Sequence, residues 1–239
     1  MRHETRSMGH QVDLDILKRT ELLQGVPDAV LSEFLAAALR RRVAAGEALI
    51  NQGDPVDAVF VVIVGRLRVS QTNSEGQQII IRYLGPGQIA GYSALTGGDV
   101  HPGTVLALED SHLFGWSSAV FQELMARHSA IAINVVKVLG ARYNEVKIRL
   151  RQMSTERVEQ RIASTVLRLA EQAGHRTARG IEIAFPLSRQ DLAEMTGTTL
   201  HTVSRTLSAW EEKGIVTSGR RRVVVAQADA LKAIASAEK

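Results

Sequence analysis

The residues best suited to chemistry lie between Leu187 and Val225. Ser188 stands three positions before Asp191, the spacing at which a hydroxyl and a carboxylate cap a helix start reciprocally. The helix opened there, SRQDLAEM, runs into Thr196-Gly197-Thr198, a tight turn with glycine where a positive φ is easily borne. Thr199 then caps a second helix, LHTVSRTLSAWEEKG, which ends at Gly214. A short helix, a glycine turn and a second helix with a polar first turn form a helix-turn-helix. Such a motif puts the N-terminal end of its second helix into the major groove of duplex DNA. Leu200, His201, Ser204 and Arg205 would meet base edges there, while Val203, Leu207 and Trp210 face the core. The hairpin IVTSGRRRVVV follows, with Arg220, Arg221 and Arg222 at its tip, and guanidinium groups hold phosphates strongly. Ser188, Arg189 and Thr199, at the two helix starts, are further candidates for the DNA backbone.

Catalytic chemistry has no comparable footing. There is no HExxH pair, no phosphate-cradling Walker loop and no triad spacing, so an enzyme is not expected. With no cysteine, disulfides, thiolate catalysis and cysteine-held iron–sulfur clusters are excluded. His101, His112 and His128 are the candidate metal or haem ligands, set against the ordinary fate of a histidine as a surface or core residue.

Other elements must position the motif. Val158, Ile162, Val166 and Leu169 define an amphipathic helix before it, Gly174 to Gly180 reads as a loop and Ile181-Glu182-Ile183 as a short strand. From Ser118 to Ala173 the only glycine is Gly140, and no proline occurs. In that span Ala132, Val136, Leu139, Tyr143, Val146, Leu150 and Met153 alternate steps of four and three. This heptad seam suits a two-stranded coiled coil and predicts a homodimer; packing on the chain's own domain is the alternative. Ser154-Thr155-Glu156 offers capping residues, which predicts a helix break there.

The N-terminal half has another texture. Residues Leu14 to Arg42 read as helices. From Val43 to Phe114, apolar runs such as VFVVIV, LRV, QIIIRYL and TVLAL alternate with glycine turns, the pattern of a small antiparallel barrel or roll. The expected fold is therefore α+β, in four parts: a disordered leader over 1–13, a β-roll effector domain over 14–117, a dimerisation helix over 118–153 and a winged helix-turn-helix over 154–239.

Bulk properties agree. The 239 residues exceed one average domain, and 45% hydrophobic with 23% charged residues suits a chain that buries a core. No run of about eighteen apolar residues occurs and the first ten residues carry no secretory signal; a cytoplasmic protein without a membrane partner is expected. Of the net charge of +4, residues from Ser154 onward supply +3 (13 Lys and Arg against 10 Asp and Glu), a weak pointer to nucleic acid.

From Leu14 to Ala233 the chain resembles the Crp/Fnr family of dimeric regulators. AGEALINQGDPVDAVFVVIVGRLRV is similar to the family's β-roll, with glycines at Gly46, Gly53 and Gly65. GQIAGYSAL stands where its cyclic-nucleotide phosphate cassette belongs, and RIASTVLRLA and LSRQDLAEMTGTTLHTVSRTLSAWEEKGIV match the DNA-binding half. The resemblance implies a homodimer on a palindromic operator, RNA polymerase as a partner and an effector pocket at Gly91, Tyr92, Ser93, His101, Val146 and Lys147. It also implies that Arg205 reads a base, after Ser204 as in the branch that prefers TTGAT-like half-sites, and that His201 replaces a Glu. Cyclic AMP is not expected. Tyr92 replaces the family's ribose-binding Glu, His101 or Pro102 its phosphate-binding Arg, and Val146-Lys147 its base-contacting hydroxyl pair. The iron–sulfur cysteines of the oxygen-sensing branch are absent too. Since some members sense gases through haem, the expected effector is haem or nitric oxide, with His101 as the candidate ligand; the alternatives are a cyclic nucleotide or other small ligand in a divergent pocket, or a regulator that needs no ligand.

Overall fold

The computed structural model describes residues 13–237. The leader expected over 1–13 lies outside them except for Asp13, which is helical. Contacts divide the chain into two compact units. One runs to Gly76 and resumes over Ile81–Asn144; the other joins Gln77–Ile80 to the chain from Glu145 onward.

The first unit opens with helical residues 13–19 (α1) and α2 (Asp28–Ala37). The roll follows as β1 (Leu39–Val43), β2 (Ala48–Ile50), β3 (Ala58–Val64), β4 (Leu67–Thr72), β5 (Gln78–Leu84), β6 (Ile89–Ala90), α3 (Ser93–Thr96), β7 (Thr104–Ala107) and β8 (Ser111–Ser117). Two four-stranded sheets result, ordered β1-β8-β3-β6 and β2-β7-β4-β5. β3 reads as an unbroken apolar run because both its faces are covered. Val59 and Val61 pack towards the helices, and Val62 into the roll interior with Leu67, Leu84 and Leu113. On the helix side, Trp116 of β8 meets Phe34 edge to face at 6.0 Å, and its indole N–H donates to the Phe34 carbonyl at 2.8 Å.

Two expectations for this unit need correction. Leu14–Arg42 is not wholly helical: Ala38 turns extended, and Leu39 to Val43 pair antiparallel with β8. Arg40, Arg41 and Arg42 are exposed on an edge strand, where charge discourages pairing with other chains. The helix expected over 118–153 is two helices, α4 (Ser118–Arg127) and α5 (Ser129–Thr155), which meet at 115°. His128 leaves helical geometry at the bend and its ring meets Glu33 of α2 at 2.8 Å, while Arg127 pairs with the same carboxylate. A tertiary anchor, with no glycine or proline, makes the elbow.

The second unit holds the end of α5, then α6 (Val158–Ala173), β9 (Gly174–Thr177), β10 (Gly180–Ile183), α7 (Arg189–Thr196), α8 (Leu200–Glu212), β11 (Val216–Gly219), β12 (Arg222–Val225) and α9 (Ala228–Ser236). Its sheet is ordered β11-β12-β10-β9. Ile162, Val166, Leu192, Val203, Leu207, Trp210 and Leu231 form a fully buried core. Here too the structure corrects the reading. Gly174 to Thr177 is a strand paired with β10, where a loop was expected. The cap expected at Ser154-Thr155 is not made; both hydroxyls donate back to the carbonyls of Leu150 and Arg151, so α5 runs on to Thr155. Instead, α6 starts with the Arg157 N–H donating to the Gln160 side chain. Among the described residues no single helix is long and apolar enough to cross a membrane.

Candidate nucleic-acid interface and effector cassette

Local chemistry builds the helix-turn-helix. The Ser188 side chain accepts from the Asp191 N–H, and the Asp191 carboxylate accepts from the Ser188 N–H and hydroxyl at 2.8 and 2.7 Å. Gly197 closes α7 in the left-handed region at φ +60°, and Thr199 caps α8 by accepting from the Thr202 N–H. α8 then divides cleanly: Val203, Leu207 and Trp210 are buried, while Leu200, His201 and Arg205 are exposed and Ser204 half-exposed. An exposed leucine, 48% accessible, opens this helix. Trp210 is pinned by its indole N–H to Glu159 of α6 at 2.9 Å.

The hairpin of β11 and β12 forms the wing. Arg220 and Arg221 are exposed at its tip, and Arg221 takes a positive φ of 58° without being glycine. Arg222 differs, for it lies in β12 and pairs with Glu182 of β10 at 2.5 Å. Arg189 is likewise engaged, donating to the Ser218 hydroxyl at 3.0 Å and lying 3.7 Å from Glu211, whose carboxylate also accepts from the Ser218 N–H. Of the expected backbone contacts, Ser188 and Thr199 are therefore caps, Arg189 and Arg222 tie elements together, and Arg220 and Arg221 project. Sequence reasoning missed Arg161, whose guanidinium donates to the carbonyls of Thr196 and Glu156 and fixes α7 to the start of α6.

α5 carries two stripes. Ile131, Asn134, Val135 and Val138 are buried in the first unit, and Asn134 donates to the Leu22 and Gln24 carbonyls at 3.0 and 2.9 Å. The seam of Ala132, Val136, Leu139, Tyr143, Val146, Leu150 and Met153 is the other stripe; Ala132 and Leu139 are half-exposed and the rest exposed, Val136 to 70%. Val136, Tyr143, Val146, Leu150 and Met153 leave apolar area uncovered by their own chain.

In the cassette, Gly91 sits at φ +83°, where a Cβ would lie 2.6 Å from the Ala58 carbonyl oxygen, so only glycine fits. Tyr92 follows, with Arg142 of α5 over its ring at 6.0 Å. That guanidinium donates twice to Glu21, at 2.7 and 2.5 Å. Burial pushes the Tyr92 hydroxyl pKa up, against the pull of Arg142 and Arg82. Burial also opposes the Arg142 charge, but Tyr92 and Glu21 outweigh it and hold the guanidinium firmly protonated. Neither Glu21 nor Arg142 was foreseen; the available signal was the polar pair Asn134 and Arg142, two turns apart on the buried stripe. Ser93 is half-exposed, and Val146 and Lys147 are exposed on the part of α5 that belongs to the second unit.

The three histidines part company. His112 is exposed on β8 and His128 is held by Glu33. His101 is 3% exposed, and its Nε2 has no hydrogen-bond partner among the described residues. Burial pushes its imidazole pKa down, with Asp57 and Asp54 opposing. Among the described residues no group of three or more potential ligands could hold a metal ion. A haem would find one nitrogen of suitable chemistry here, that of His101.

A β-roll, a long helix and a winged helix-turn-helix define a DNA-binding transcription regulator. The cyclic nucleotide-binding domain matches residues 40–128, and the Crp-like helix-turn-helix domain residues 160–234. The chain belongs to the Crp/Fnr family of transcription regulators. It is 29% identical to the cyclic AMP receptor protein of Thermus thermophilus, covering 92% of this chain and 98% of that protein. To the transcriptional regulatory protein btr of Bordetella pertussis it is 26% identical, covering 83% and 82%. The structure of FixK2 from Bradyrhizobium japonicum superposes with a TM-score of 0.74 at 22% identity, over 84% of this chain and 99% of that one, a likeness of fold. Regulators of this family bind DNA and function as dimers.

Proposed function

We propose that two copies of this chain join along the α5 seam and bind a palindromic operator, each placing the start of α8 in the major groove. The carrying observation is the division of α8: Leu200, His201, Ser204 and Arg205 face solvent while the opposite side holds the domain together. Leu200, His201, Ser204 and Arg205 read bases, and Arg220 and Arg221 grip phosphates. Ser188, Arg189, Thr199 and Arg222 keep that surface in shape. The protein acts on transcription by RNA polymerase, as its family resemblance implies, in the cytoplasm, which its composition fits. Selection of bound duplexes from a randomised library tests this; a palindromic consensus is expected, and sequence-independent retention would overturn it.

The effector is a molecule other than cyclic AMP. Support comes from Tyr92 at the ribose-binding position and His101 or Pro102 at the phosphate-binding one. Of the two cations that act on Tyr92, Arg142 is already paired with Glu21. A phosphate buried without its cationic partner loses several kcal/mol, so calorimetric titration with cyclic AMP should give no heat of binding at micromolar concentrations. Haem is the reading favoured by the unpartnered Nε2 of His101. Protein produced with haem available should then show a Soret band that His101→Ala shifts or abolishes; no band in the wild type removes haem from consideration.

A further inference from the structure

An imidazole stands where α8 would meet the bases. His201 is exposed on the first turn, with Arg205 one turn further along the same face. No hydrogen bond or ion pair engages its ring among the described residues, and on α6 the Glu159 carboxylate accepts from Trp210 near the far end of α8. On α7, Arg189 is held by Ser218 and Glu211, Asp191 by Ser188, and Glu194 accepts from Gln190. β11 has no ionisable side chain. On α8 itself, Arg205 is the charged residue one turn away, and Glu211 and Glu212 lie at the far end.

We propose that His201 makes base selection by this protein depend on pH. The inference rests on α8 being the reading helix. A neutral imidazole has one acceptor nitrogen, which suits a base edge that donates, cytosine N4 or adenine N6. The imidazolium has two donors and no acceptor, so it loses that partner and suits guanine O6 and N7. Histidine is the side chain whose ordinary titration spans the cellular range. Arg205, always charged, reads the same base at any pH. Protonation also adds a positive charge that strengthens attraction to all DNA, so the signature is a changed ratio between operators, beyond any uniform gain.

The test uses the full-length protein and a duplex library with randomised palindromic half-sites, selected at about pH 8 and about pH 6 at one ionic strength. Affinities for the consensus and its single-base-pair variants follow. One position per half-site should shift from cytosine or adenine at the higher pH to guanine at the lower, with about a tenfold change in the affinity ratio, the scale of one base contact. Other positions should keep their preference. His201→Gln, which both donates and accepts but does not titrate, should still select a consensus yet lose the shift. Equal ratios at both pH values, or a shift that persists in His201→Gln, would overturn the proposal. Failure to select any consensus at either pH would instead strike the reading of α8 itself, and the inference with it.

Discussion

Arg205 and the wing arginines are both exposed cations, yet they should fail differently when removed. Arg205 projects from the polar side of α8, from which a guanidinium can pair with guanine O6 and N7. Arg205→Ala should cost about 1–3 kcal/mol on the selected site and relax preference at one base pair. Arg220→Gln with Arg221→Gln should weaken all sequences alike and reduce the dependence of log affinity on log salt. Binding to single-base variants at two salt concentrations separates the two; a uniform loss in Arg205→Ala would assign Arg205 to the backbone. At this scale much was legible in the sequence, because caps and turns depend on neighbours three or four residues away. Ser188 with Asp191, Gly197 and Thr199 behave as their spacing requires. Arg222 was grouped with the tip arginines because the sequence does not reveal Glu182, forty positions earlier, as its partner.

At the scale of elements, the α4–α5 elbow is the feature local propensity hides. Every residue from Ser118 to Thr155 tolerates helix, and the turn comes from Glu33, which holds both Arg127 and His128. The His128 hydrogen bond and the Arg127 charge keep the Glu33 carboxyl below its ordinary value of 4.5. A carboxylate with a depressed folded pKa adds stability that is complete above the unfolded value and lost as pH falls through the folded one. Urea midpoints should therefore fall in wild type between neutral pH and the range below 4.5, and Glu33→Gln should lower the neutral midpoint and flatten that fall. An unchanged acid profile in Glu33→Gln would mean that the elbow is held by its apolar contacts alone.

For the whole molecule, the question is what covers α5. Its buried stripe is satisfied by the first unit, and the seam offset from it is exposed. Burial of each large seam residue against a twin supplies roughly 1.5–3 kcal/mol, enough in sum for a stable dimer. Leu139→Asp with Val146→Asp should give monomers in analytical ultracentrifugation and weaken binding to a palindromic duplex, because one half-site would then be held at a time. Dimers that survive both substitutions would move the interface off this seam. The periodicity was readable, but it left two interpretations, a partner helix or the chain's own domain. α5 has one stripe that its own chain buries and a second that is exposed, and only the structure shows which residues belong to each.

The sequence by itself determined whatever is written in short-range spacing: the roll of glycine-punctuated strands, the heptad seam, the helix-turn-helix with its caps, and the family to which these belong. Each follows from backbone geometry and side-chain periodicity over a few residues, so no distant partner is needed to see it. Tertiary structure decided what depends on remote neighbours. The strand of Arg40 to Arg42 exists because β8, some seventy residues later, offers its edge. The elbow exists because Glu33 reaches residues 94 and 95 positions away. Arg142 is fixed by a carboxylate 121 positions earlier, although it sits on a helix whose pattern was plain. Long-range pairs of charges obey no period along the chain; they form only when folding brings them into the same half-buried place, where leaving one unpaired would cost more than pairing both.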